Sequence, residues 1–240
     1  MEYKDFPDTL RPRPYWVRYI SAYIVFLLGM SVAKIKVQGR WNIPKRGPCV
    51  IACNHFGYLD PFFLVYAVQR PTSFLMQSDE GVERHFFWAP MTYGAILTDR
   101  NKLAPSTVKE SIIALKNEEV LGIFPEGGMK GFELAKAKPG AIYLSAMGHV
   151  QIVPIAIDGG NEAWEKIFHG VRSRIKINIG RPFGPFDIKG SKMEKRNQIE
   201  TISSELMCRI AALLPDNKHG VYAKDKRIFH YRQENGFKKI

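Results

Sequence analysis

The sequence predicts an α/β fold: one domain on a central, largely parallel mixed β-sheet of about seven strands flanked by helices, preceded by an N-terminal membrane-associating helix. Three observations predict it. From residue 35 onward, short β-branched runs alternate with longer helical patterns, as they do where crossover helices join parallel strands. The 240 residues are a length that single α/β domains commonly reach. No internal repeat, low-complexity stretch or linker divides the chain.

The chain separates into a membrane-associating segment (1–34), a domain body (35–214) and a basic C-terminal tail (215–240). The first segment contains a 15-residue apolar run, Tyr19 to Ala33, shorter than the roughly 20 residues that a bilayer span requires. Ser31-Val32-Ala33 resembles a signal-peptidase site, but the 18 residues ahead of the run include Glu2, Asp5 and Asp8, unlike a signal n-region. Arg11, Arg13 and Arg18 precede the run, and Lys34, Lys36 and Arg40 follow it. That symmetry suits a helix half-buried in one leaflet with both ends on the cytoplasmic side; an ordinary core helix is the other reading.

Strands are expected at 35–39, 49–54, 72–77, 94–98, 120–124, 151–157 and 174–179, and helices at 61–68, 107–117, 140–147, 161–168 and 193–214. In the second helix Thr107 and Glu110 have the spacing of a capping box. Val108, Ile112 and Leu115 recur there at one-face helical spacing. The last helix stops before Pro215, and the tail beyond it carries Tyr222, Phe229, Tyr231 and Phe237 among its basic residues.

Thirty-five Lys and Arg against 23 Asp and Glu give a net charge of +12, which concentrates anions and points to nucleic acid or an anionic membrane surface. The chain has no RNP sequence and no zinc-finger spacing, so no nucleic-acid partner is expected. Cys49 and Cys53 lie on one strand, four residues or roughly 13 Å apart, too far for a disulfide. With Cys208 as the third cysteine, a reducing compartment follows. No Cys/His cluster has metal-ligand spacing, so no structural metal is expected.

The informative segment is Asn54-His55-Phe56-Gly57-Tyr58-Leu59-Asp60-Pro61, between a buried strand and a helix. The carboxyl end of a strand is where open α/β sheets build sites. A histidine there can take a proton from a hydroxyl if a neighbouring group holds its tautomer and stabilises the imidazolium. Asp60, with Gly57 letting the loop turn tightly, is a candidate for that group; Asp before Pro is equally a helix-start signal.

Asn54-His55-x-x-x-x-Asp60 resembles the first motif of the glycerophospholipid acyltransferases, typified by the lysophosphatidic acid acyltransferases. Gly94-Ala-Ile-Leu-Thr-Asp-Arg100 resembles the second, Phe124-Pro125-Glu126-Gly127 the third, and Val153-Pro154-Ile155-Ala156-Ile157 the fourth. All four occur in family order across residues 35–182, with Lys138-Pro139-Gly140-Ala141 between the last two. The third motif departs from the family's F-P-E-G-T-R-S, because Gly128 and Met129 stand at the Thr and Arg positions and Lys130 follows. Methionine cannot grip a phosphate bidentately as arginine does.

The resemblance implies an O-acyltransferase domain over 35–214 that moves a fatty acyl group to the free hydroxyl of 1-acyl-sn-glycerol 3-phosphate, giving phosphatidic acid. His55 and Asp60 are then the catalytic pair. Asn54, Arg100, Glu126, Gly127, Lys130 and Lys138 are expected to bind substrate, with Glu126 orienting Arg100 or the acceptor's polar groups. No bound cofactor is implied; acyl-CoA or acyl carrier protein is the donor substrate, a lysophospholipid the acceptor and an anionic membrane surface the partner. Without a G-x-S-x-G elbow, direct attack by the acceptor is expected. The altered third motif leaves two alternatives, another lyso-lipid or glycolipid acceptor and a catalytically silent lipid-binding protein. Phe62, Phe63, Phe86, Phe87 and Trp88 read either as core or as an acyl-chain channel.

Overall fold

The computed structural model describes residues 13–77, 93–98 and 103–237. Its seven-stranded sheet runs β1 (Ala33–Gln38), β7 (Ser173–Ile179), β6 (Ile152–Asp158), β2 (Cys49–Cys53), β5 (Val120–Ile123), β3 (Thr72–Gln77), β4 (Ala95–Thr98). All pairings are parallel except β6 with β7. Every strand predicted from the sequence is present, shifted by at most two residues at either end.

β2 is central, and its side chains alternate between two cores because successive residues of a strand face opposite ways. Val50 and Ala52 face a core with Ala114, Leu115, Ile142, Leu144 and Leu206, supplied by helices α3 (Pro105–Lys116), α4 (Gly140–Gly148) and α6 (Lys192–Ala211). Cys49, Ile51 and Cys53 face the opposite core with Phe63, Leu64, Ala67 and Val68 of α2 (Asp60–Val68). All three cysteines are buried and free. The short α5 (Ala163–Phe168) precedes β7.

The first helix, α1 (Tyr15–Val32), lies against α2, with Phe26 stacked on Tyr66 at 4.9 Å between ring centroids. It is not a core helix. Trp16, Tyr19, Ile20, Tyr23, Ile24, Leu27 and Leu28 form an outward apolar face, each at least 46% exposed. One of its expected flanking cations is placed differently. Arg18 is buried, paired with Glu119 at 3.1 Å and hydrogen-bonded to Ser73 Oγ at 3.4 Å, so it is part of the fold and not of the basic rim. An arginine near an apolar helix reaches a buried carboxylate only when the tertiary fold brings one beside it.

One further expectation needs correction. Thr107 is not a cap: α3 starts at Pro105, a residue preorganised for a first helical position, and the Thr107 hydroxyl donates to Leu97 O at 2.6 Å. The predicted apolar face holds, since Leu115 is buried and Val108 and Ile112 pack on the same core. A complete capping box occurs instead at Ser191 and Glu194, opening α6. Within the basic C-terminal tail, residues 215–235 are folded. Two short 3₁₀ turns, Asp216–Lys218 and Gly220–Tyr222, lead into α7 (Arg227–Asn235), whose Ile228 and Tyr231 are buried. The Arg209 guanidinium lies 4.5 Å from the Phe183 ring centroid and 4.2 Å from that of Tyr231, tying α7 to α6. Apolar residues at helical spacing give α7 a face to bury, whatever its net charge.

Candidate active site

The site forms where the central strand leaves the sheet. Asn54 follows β2 with its side chain wholly buried; Nδ2 donates to Ile157 O at 2.9 Å, and Oδ1 accepts from Ile157 N at 2.8 Å. The amide thus adds one rung between β2 and β6 while the main chain turns away. Both polar groups of the Asn54 side chain, a residue expected to bind substrate, are engaged by the Ile157 backbone.

The next residue is His55. Its Nδ1 lies 3.1 Å from Asp60 Oδ2, and the same oxygen accepts from the main-chain N–H groups of Phe56 and Gly57, both at 2.8 Å. Asp60 is fully buried in the first turn of α2, so its carboxylate is held by amides as well as by the helix start. Asp60 is thus the first residue of α2 and not its N-cap, which is Leu59, and its carboxylate turns back onto the loop. The loop closes tightly because residue 57 is glycine: a Cβ there would come within 2.8 Å of Gly160 O. The His55 ring stacks on Phe124 with centroids 4.1 Å apart, and 17% of its side chain remains exposed. With a proton on Nδ1 donated to Asp60, Nε2 is left as the basic nitrogen.

Glu126 lies in the turn just beyond the neighbouring strand β5 and is 1% exposed. Oε1 accepts from His55 N at 3.1 Å and Oε2 from Ala135 N at 2.9 Å. Burial pushes its carboxyl above the usual range, against the lowering pull of those N–H donors from Ala135 and His55. It thereby holds the backbone of His55. Gly127 has φ +69°, and a Cβ on it would lie 2.5 Å from Lys138 Cε, so the glycine admits the lysine side chain across the turn. Lys138 N donates to Pro125 O at 2.7 Å, which fixes that crossing. Lys130 is exposed on the following loop, close enough to Glu126 to lower its pKa.

The structure therefore brings His55, Asp60, Glu126, Gly127, Lys130 and Lys138 to one end of the sheet and holds Asn54 behind them. Arg100, Phe86, Phe87 and Trp88 lie outside the described residues. Phe63 belongs to the core, and Phe62 packs on the Val25–Val65 cluster, so core is the outcome for both. Two participants escaped the sequence reading. Lys218 reaches over the Phe56 ring at 5.9 Å from far along the chain. Gly160 abuts Asp60, where a Cβ would lie 2.7 Å from Oδ1; the glycine pair 159–160 after a strand was its only signal.

A basic imidazole braced by a buried carboxylate, at the carboxyl end of a parallel strand, is the equipment of a group-transfer enzyme that deprotonates a hydroxyl. A family model described as acyltransferase matches residues 34–158, more than half of the chain, and the protein is a member of the acyltransferase family. Among its relatives, the 1-acyl-sn-glycerol-3-phosphate acyltransferase of Bacillus subtilis (strain 168) is 28% identical over 180 residues, 75% of this chain and 87% of that one. The 1-acyl-sn-glycerol-3-phosphate acyltransferase of Borreliella burgdorferi is 27% identical over 202 residues, 81% of this chain and 78% of that one. The fold is similar to the crystal structure of the 1-acyl-sn-glycerophosphate acyltransferase PlsC from Thermotoga maritima, with TM-score 0.57 and 19% identity over 78% of each chain.

Proposed function

We propose that the protein transfers a fatty acyl group from an acyl thioester to the free hydroxyl of 1-acyl-sn-glycerol 3-phosphate, giving phosphatidic acid. Both curated relatives carry the name of that activity. The observation that carries the mechanism is the Asp60 carboxylate seated 3.1 Å from His55 Nδ1.

His55 Nε2 takes the proton of the acceptor hydroxyl as its oxygen attacks the thioester carbonyl. Asp60 stabilises the imidazolium while the tetrahedral oxyanion forms. Collapse breaks the carbon–sulfur bond, and the imidazolium returns its proton to the departing thiolate, giving ester and free thiol. Cys53, the nearest thiol in sequence, is unsuited to form an acyl-enzyme: it is fully buried, and burial pushes its pKa well above the ordinary thiol value. Arg100, Lys130 and Lys138 hold the acceptor phosphate, with Lys130 and Lys138 offsetting the missing arginine at Met129.

The outward apolar face of α1, rich in Trp and Tyr, seats the enzyme in one leaflet on the cytoplasmic side. The net charge of +12 adds attraction to anionic lipid, where the acceptor resides. The acyltransferase domain takes in the C-terminal segment through α7. Purified protein incubated with labelled palmitoyl-CoA or palmitoyl-acyl carrier protein and a panel of lysolipids tests the function. Phosphatidic acid is the expected product; acylation of a different lysolipid with none of 1-acylglycerol 3-phosphate overturns the reading.

A further inference from the structure

A second basic region flanks His55, toward β6 and β7. β6 and β7 run antiparallel, and β1 and β7 begin together at Ala33 and Ser173. The start of β7 therefore lies at the same sheet edge as the end of β6, beside the exit of β2. A cleft of about 340 Å³ opens there, lined by Asp158, Glu162, Lys166, Arg172, Arg174 and Lys218 among others. Four cations face two carboxylates, and Lys166 and Glu162 pair with each other, so the surplus is positive.

The position of this cleft is specific. Toward the sheet centre it abuts the catalytic loop: Gly57 presses on Gly160, and Lys218 lies 5.9 Å from the centroid of Phe56, the residue after His55. Toward the sheet edge Arg172 bonds the carbonyls of Met30 and Ala33 (the latter at 3.1 Å), at the end of the membrane-facing helix. β4, part of the second motif, is at the opposite end of the sheet from β7, and Lys130 and Lys138 follow β5 across β2 from the cleft; Lys218 joins the two regions, lying 5.8 Å from the Phe132 ring centroid as well as over Phe56. Arg100, Lys130 and Lys138 hold the acceptor phosphate in the reaction proposed above, which assigns no ligand to the cleft.

Resting on the reaction proposed above, we infer that this cleft binds the phosphate that caps the pantetheine arm of the acyl donor, with Arg174 and Lys218 as its contacts. That phosphate is common to coenzyme A and to carrier-protein donors. The cleft's volume is at the lower end for small-molecule sites, about 300–1,000 Å³, enough for a phosphate and the start of the arm. Bound there, the arm enters from the β6–β7 side and delivers its thioester to His55, while the acceptor phosphate is held on the β5–β4 side.

The test compares palmitoyl-CoA, palmitoyl-4′-phosphopantetheine and palmitoyl-pantetheine as donors, for wild type, Arg174→Gln, Arg174→Glu and Lys218→Ala. Arg174 is exposed on β7, and thermal melts verify that each variant is folded. Arg174→Gln and Lys218→Ala should each raise KM for the two phosphorylated donors about tenfold, the effect of losing one charge-assisted contact. Arg174→Glu should raise it further. For the two Arg174 variants, KM for palmitoyl-pantetheine and for 1-acylglycerol 3-phosphate should stay unchanged. Calorimetric binding of free coenzyme A should weaken in parallel, a readout that stands even if the acceptor assignment fails. Equal KM changes for phosphorylated and unphosphorylated donors, or a rise confined to the acceptor, overturn the inference. A wild type that binds coenzyme A through Arg174 but acylates no lysophosphatidate overturns only the acceptor reading.

Discussion

Asp60 Oδ2 meets His55 Nδ1 at 3.1 Å while accepting two main-chain N–H bonds at 2.8 Å, from Phe56 and Gly57. One oxygen thus shapes the loop and sets the histidine's tautomer. On the proposed mechanism, activity and folding should be coupled at Asp60 and separable at His55.

His55→Ala should lower kcat by about 10²–10⁴-fold, the usual contribution of a positioned general base. Stability should change little, because the ring is partly exposed and its main-chain bond to Glu126 remains. Turnover with labelled donor and a denaturant melt of the same preparation check both halves; a variant retaining half of wild-type turnover removes His55 from the mechanism.

Asp60→Asn and Asp60→Ala should both lose activity, since neither stabilises the imidazolium. Only the alanine variant leaves the buried Phe56 and Gly57 amides without their acceptor, at about 1–3 kcal/mol for each. Equal melting temperatures for the two variants would contradict the structural half of this role.

Glu126 sets a pH dependence. Burial raises its folded pKa above the ordinary 4.5, so the folded protein keeps that proton to higher pH than the unfolded chain does. The resulting stability is fully present below the unfolded pKa and is lost as pH rises through the folded one. Denaturant unfolding of wild type and Glu126→Gln across this acidic range should show wild type losing stability relative to the variant as pH increases. A constant offset between the two curves would mean that Glu126 titrates normally.

Membrane attachment should depend on the outward face of α1. Leu27→Asp and Ile24→Asp should release protein from phosphatidylglycerol-containing vesicles in a flotation assay, whereas high salt should release the wild type only partly. Point changes serve better than removing residues 1–33, because truncation also strips Arg18 from buried Glu119. Arg18→Ala alone should cost about 3–5 kcal/mol of stability, as unpairing a buried charge does. Complete release of wild type by salt would show that charge, not apolar insertion, is the anchor.

Arg100→Ala should reduce use of 1-acylglycerol 3-phosphate about 10- to 150-fold, the worth of one charge-assisted contact. It should reduce any activity on the same lipid without phosphate far less. Lys130→Ala should show a smaller loss with the same selectivity, since a flexible ammonium directs its contact less sharply than a guanidinium. Equal losses on both acceptors would make Arg100 structural or donor-binding.

The sequence by itself determined the seven strands, six of the helices, the buried central strand and the His55–Asp60 pair. Each of these is encoded over a few residues: β-branched runs, one-face helical spacing, and a loop of four residues between base and carboxylate with glycine at its turn. The tertiary structure alone decided what surrounds that pair. Asn54 bonds a residue 103 positions away, Glu126 holds a main-chain amide 71 positions away, Arg18 finds Glu119, and Lys218 arrives over Phe56 from a segment that read as a tail. These contacts follow from the strand order, which places β6 and β5 on either side of β2. Local periodicity specifies that a strand exists but not which strand it will pair with. Partners that meet only when distant segments close on one another have no signature in either segment alone.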